Sequence, residues 1–211
     1  MAGGFVLALV LLVVLEVYLH RLNGTERQLL NQAPAAAAGA GCTPVQTVAP
    51  YPKGLDRVHI GSPQARVMPP LSTYPSTPPA SGPHAPAPLG AGVYSNPPAI
   101  GMTIHSLEHA AVIVWYDPTT ADPAELDRIR SFFRQGDERN HVIVAPYDYP
   151  DQGPAGQLPS GRQMALVAWH RLQYCSQPNL PVAYAFVHQL RFNLYQWGAY
   201  KGVAPEKFNP I

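Results

Sequence analysis

The sequence predicts an α+β fold: a small sheet of about three strands covered by two helices on one face, behind an N-terminal transmembrane helix and a long Pro-rich irregular segment. Three observations carry this reading. Ala2 to Leu19 is almost entirely apolar, with Glu16 as its one charge. Residues 33–98 hold 15 of the 25 prolines and only four charges, Lys53, Asp56, Arg57 and Arg66. From Thr103 onward, apolar runs of strand length alternate with segments of helical period.

The apolar run comes first. As a helix it rises roughly 27 Å, about enough to cross the hydrocarbon core. Tyr18, His20 and Arg21 suit an interfacial boundary. A cleaved signal peptide is the alternative, but the run has no basic start and no A-x-A site. Residues 1–22 are therefore read as an anchor and 23–40 as a juxtamembrane helix or linker. Gly39, Ala40 and Gly41 before Cys42 do not make a lipid-attachment motif. Arg21 and Arg27 would place the body in the cytoplasm by the positive-inside rule. Low charge and a possible disulfide argue the other way, so the body is expected on the periplasmic or extracellular side.

Proline locks φ and lacks an N–H, so the stretch after Ala33 is expected to form neither regular helix nor central strand. Leu55, Val58, Ile60, Val67, Met68, Leu71, Tyr74 and Tyr94 make it more apolar than a plain spacer. Residues 41–100 are read as a strap packed on the domain, and 101–211 as the core.

Within the core, Ala110 to Tyr116 suits a buried strand. Asp122-Pro123-Ala124-Glu125 is a helix start, with Leu126, Ile129 and Phe133 at helical spacing until Gly136. His141 to Tyr147 reads as a second strand, and Met164 to Leu172 as a third, antiparallel to the second. Pro181 opens a last helix whose apolar face is Val182, Phe186, Leu190 and Leu194. Trp115, Trp169 and Trp197 suit core or interface anchors.

Composition narrows the function. A net charge of +1 and 13% charged residues give no electrostatic footprint for nucleic acid. There is no phosphate loop, nucleophile elbow, dinucleotide fingerprint or haem-attachment motif. Cys42 and Cys175 fit no zinc or redox spacing; they are two thiols or, in an exported domain, one disulfide.

The histidines are more informative. In His105-Ser106-Leu107-Glu108-His109, residues four apart lie about 6 Å apart on a helix and can chelate one ion. On a strand they are about 13 Å apart and cannot. A helical turn before Ala110 is therefore required. Glu108 would orient a ring as a carboxylate partner. Ser81-Gly82-Pro83-His84 sets a third histidine on a tight turn, and Met102 offers a thioether. His59 and His141 flank apolar runs and read as strand-edge residues, while His170 reads as solvent-facing.

Ser81-Gly82-Pro83-His84, then Gly92-Val93-Tyr94, then His105-Ser106-Leu107-Glu108-His109 and an apolar strand, resemble the domain-of-unknown-function 3105 family. Gly41-Cys42, Ala168-Trp169 and Pro205-Glu206 are similar to it too. The resemblance covers residues 41–207. It implies a membrane-anchored architecture and residues that matter, but no reaction. The family usually has Gly where this chain has Ala110.

The expected function is an anchored, extracytoplasmic accessory domain. One copper ion, or else zinc, would be held by His84, His105, His109 and Met102 for binding rather than turnover. A structural subunit of a larger membrane complex, docked through the helix and strap, is the alternative. A zinc peptidase of the H-x-x-E-H type is a minor one, since that motif needs a long helix and a later carboxylate ligand.

Overall fold

In a computed structural model, residues 6, 9–15, 24–193 and 198–211 are described. Among them six strands form one mixed sheet: β1 (Gln46–Thr47), β2 (Gly92–Val93), β3 (Val112–Tyr116), β4 (Val142–Pro146), β5 (Met164–Ala168) and β6 (Arg171–Cys175). Their order is β1-β6-β5-β3-β4-β2. The three strands β3, β4 and β2 run parallel. β5 returns antiparallel on β3, and β6 and β1 continue that alternation.

The central strands are buried along their whole length, which is why their apolar runs do not alternate with polar residues. Helices α1 (Gly24–Gly39), α3 (Pro123–Phe133) and α4 (Leu180–Leu190) cover one face. There Val112, Val114, Leu166, Ile129, Phe133, Tyr184 and Val187 share one apolar core. The Asp122 side chain caps α3 at the Ala124 N–H, and Asn179 caps α4 at the Val182 N–H. The opposite face carries helix α2 (Ile100–Glu108) and the Pro-rich segment. Leu71, Tyr74, Ala80, Ile104 and Leu107 pack there on Ile113, Trp115, Val167 and Trp169. A Cys42–Cys175 disulfide ties the chain just after α1 to the end of β6.

Several expectations are corrected. The sheet has six strands, not three, and both faces are covered. The two edge strands are two residues each, too short for any periodicity to register. The stretch read as a third strand is a hairpin turning at Trp169-His170. It pairs with β3 rather than with the second strand. His170 takes a left-handed φ of 56° there, with no Gly or Asn to announce the turn. Helix α1 runs through Pro34 to Gly39. The Ala35–Ala38 run favours helix, and docking on α4 supports it. The last helix ends at Leu190; Leu194 and Trp197 lie outside the described residues.

The single-pass anchor is corrected as well. Among the described residues no helix is long and apolar enough to cross a membrane. Glu16, Tyr18, His20 and Arg21 lie outside the described residues. The membrane as partner, docking on a membrane complex through the helix and single-pass placement of the body all rested on that span, and none is supported. The disulfide still fits an oxidising compartment.

Candidate metal centre

The helical turn that chelation requires is present. α2 ends at Glu108, with His109 as its C-cap. Ala110 follows at φ 63°, and the Ala111 N–H closes the end on the Ser106 carbonyl at 3.0 Å. His105 and His109 therefore project from one face, their Nε2 atoms 3.0 Å apart.

His84 reaches the same place from the Pro-rich segment. Val58 to Ile60 pairs with the chain at His84: the His84 N–H donates to Val58 O at 3.0 Å, and the Ile60 N–H to His84 O at 2.7 Å. The preceding turn depends on Gly82. Its φ is 121°, and a Cβ there would lie 2.7 Å from the Tyr74 ring. This pairing also brings His59 in, with its ring 4.9 Å from those of both His84 and His105.

Two overlapping groups of donors result. Ligand atoms of His59, His84, His105 and Glu108 lie within 4.8 Å of one another, as do those of His105, His109 and Glu206. The set expected from sequence is thus divided: His105 belongs to both groups, His84 to one and His109 to the other. A Glu108 carboxylate oxygen lies among the donor atoms of the first group. The Met102 carbonyl accepts from the Leu89 N–H and the Ser106 hydroxyl. His59, Arg57 and Glu206 were not in the expected set. Their only sequence signals are a histidine inside an apolar triplet and the Pro205-Glu206 pair.

Proton positions follow from the partners. Carbonyl oxygens only accept, so the nitrogen facing one carries the hydrogen. His84 Nδ1–H donates to Gly82 O at 2.8 Å, His105 Nδ1–H to Ala85 O at 2.7 Å and His109 Nδ1–H to Pro210 O at 2.8 Å. When neutral, each ring turns an Nε2 lone pair inward. Backbone partners commonly fix the tautomer of metal-binding histidines in this way. The inward atoms then face other acceptors. His84 Nε2 lies 3.0 Å from Glu108 Oε2. It is fully buried yet makes no hydrogen bond among the described residues. The distance suits a bond but the direction does not, so proximity alone joins the two atoms.

Arg57 organises the carboxylates. Its Nε donates to Glu108 Oε1 at 2.5 Å and its Nη2 to Glu206 Oε1 at 2.8 Å. Both Oε2 atoms are left facing histidines, Glu206 Oε2 at 3.4 Å from His109 Nε2. Burial pushes the Glu108 carboxyl up, but the His84 ring edge and the Arg57 guanidinium outweigh it and hold the group below its ordinary range. Burial lowers the His105 pKa and the neighbouring His84, His109 and His59 lower it further, against the Ala85 bond, so the ring favours its neutral form. A carboxylate and neutral imidazoles are the protonation states that bind metal.

His170, expected in solvent, instead donates from Nε2 to Asp56 Oδ2 at 2.9 Å, with Nδ1 on Val48 O at 3.0 Å. Asp56 also accepts from the Ser81 hydroxyl at 2.6 Å. The pair secures the loop that carries His84.

Comparison with known proteins finds a family model described as "Protein of unknown function (DUF3105)", which matches residues 70–199. No curated protein and no solved structure matches the chain.

Proposed function

We propose, from the premise that this chain belongs to the DUF3105 family of proteins of unknown function, that it binds one divalent transition-metal ion and acts as a metal-binding accessory protein rather than an enzyme. The observation that carries this is the orientation of His84, His105 and His109. All three give their Nδ1 protons to backbone carbonyls and gather Nε2 lone pairs around carboxylate oxygens. With the rings neutral, lone pairs would face acceptors at 3.0 Å; a cation between them, whether a proton or a metal ion, removes that repulsion. Two nitrogens bound to one tetrahedral ion lie roughly 3.3 Å apart, close to the spacing here.

The donors are imidazole and carboxylate, which suit copper(II) or zinc. The affinity order of such sites ranks copper(II) above zinc. Binding rather than turnover is supported by Glu108, the residue a peptidase would use as base. It is buried, with one oxygen on Arg57 and the other at His84, so it is not free to activate water. α2 also ends at this glutamate, where a zinc peptidase needs a long helix.

The test is titration of the metal-free full chain with Zn²⁺ and Cu²⁺, followed by calorimetry and elemental analysis. One ion per chain is expected. His105→Ala and His84→Ala should each lower affinity by at least about 10- to 100-fold, the loss that even outlying partners of a metal give. A folded wild-type chain that takes up neither ion defeats the reading.

A further inference from the structure

The two donor groups differ in the depth of their carboxylates and in origin. The one with the buried Glu108 also has the buried His84 and His105 and the exposed His59. The solvent-facing His59 ring lies nearly parallel to His105, at 22°, and screens it from that side. The other group closes only with the C-terminal segment, whose Glu206 side chain is 34% exposed. That segment is pinned beside the site. The Glu206 N–H donates to Glu108 O at 3.0 Å, His109 Nδ1–H to Pro210 O, and His141 Nε2–H to Asn209 O at 3.2 Å. Glu206 Oε2 also accepts from the Asn209 amide at 2.8 Å.

His105 belongs to both groups but has one donor atom, because its Nδ1 is committed to Ala85 O. It therefore serves one ion at a time. Charge agrees. Two carboxylates against the single Arg57 guanidinium leave one net negative charge, sufficient for one divalent ion and not for two. Arg57 treats the two carboxylates alike, holding Oε1 of each and leaving Oε2 of each toward a histidine.

We propose that one ion occupies two alternative positions pivoting on His105: an outer loading position made by His109 and Glu206, and an inner storage position made by His84, Glu108 and His59. This rests on the metal-binding reading and adds a route to it. Glu206 and His109 take the ion at the surface. Rotation of the bond from His105 passes it inward to Glu108 without its leaving the protein.

The test uses the full chain and Co²⁺, whose visible spectrum reports ligand geometry, in equilibrium titration and stopped-flow mixing. The expected stoichiometry is one. Glu206→Gln should slow loading and chelator-driven release together, by about tenfold or more, with their ratio shifting far less than either rate. Glu108→Gln should instead lower equilibrium affinity by about tenfold or more. If Glu108→Gln does not fold, His59→Ala replaces it as the inner-position variant. Two ions per chain overturn the proposal. So does a Glu206→Gln protein that loses as much affinity as the inner variant, or one whose rates are unchanged. Failure of the wild type to bind Co²⁺, Zn²⁺ or Cu²⁺ brings down the metal reading itself, and is seen before any variant is made.

Discussion

Gly82 shows what single positions contribute. Its φ of 121° is open to glycine and strained for other residues, and the Tyr74 and Tyr51 rings fill the space a Cβ needs. Its carbonyl also holds His84 Nδ1. Gly82→Ala therefore combines backbone strain with overpacking, each about 1–3 kcal/mol. We expect urea denaturation to show a loss of about 2–6 kcal/mol, with metal affinity falling alongside. A loss under about 1 kcal/mol, within the range of neutral surface changes, would mean that the turn relaxes freely. Ala110 is the opposite case, a left-handed position occupied by alanine. Its methyl is buried, so what Ala110→Gly gains in backbone ease it largely loses in packing, at about 0.8 kcal/mol per methylene. A net change within about 1 kcal/mol is expected from thermal unfolding.

Among elements, the Asp56–His170 pair joins the Pro-rich segment to the β5–β6 turn. Burial opposes ionisation of Asp56, but its bonds from His170, Ser81 and the Tyr51 N–H prevail and hold its pKa below the usual carboxylate range. The Asp56 bond raises the His170 pKa, against burial. The signs set a window. The aspartate's contribution is present above its unfolded pKa and is lost as pH falls through its lowered folded value. The histidine's contribution is complete below its unfolded pKa and is lost as pH rises through its raised folded value. The clasp is therefore strongest between about pH 4 and 6.5. The gap in Tm between wild type and Asp56→Asn should be widest there and narrow above neutrality. A gap that stays constant from pH 5 to 9 would show that the Ser81 and Tyr51 bonds carry the whole effect. The His170 and Asp56 side chains keep 14% and 17% exposure, so solvent screening tempers the change.

For the whole molecule, the disulfide closes a loop with a sequence separation of 133. Chain entropy for a loop of this size makes the bond worth about 5 kcal/mol, and losing a native disulfide commonly costs about 2–5 kcal/mol. Cys42→Ser/Cys175→Ser should lower the urea midpoint accordingly. An unchanged midpoint would show that packing of α1 on α4 already holds the N-terminal segment. The Pro-rich segment is the larger architectural point. It covers the sheet face opposite α1, α3 and α4, and it carries Arg57, His59 and His84 to α2. The prolines that exclude regular secondary structure leave an irregular path, and that path lets two separate segments approach one helix end.

Much of the centre of the molecule was legible in the sequence because it is local. The β3, α3, β4 and α4 segments follow from apolar runs, caps and period, which are properties of neighbouring residues. The helical turn that sets His105 and His109 on one face, and the grouping of His84 with them, follow from spacing and motif. The two-residue edge strands, the left-handed turn at His170 and the helix through Pro34 were decided by packing, since each is held by a distant partner. The site divides in the same way. Spacing placed His105 and His109 on one face, but only the tertiary structure brought His59, Arg57 and Glu206 to them. Those contacts join residues 51 apart at Arg57–Glu108 and 149 apart at Arg57–Glu206, and pairing over such distances leaves no periodic trace in the residues themselves.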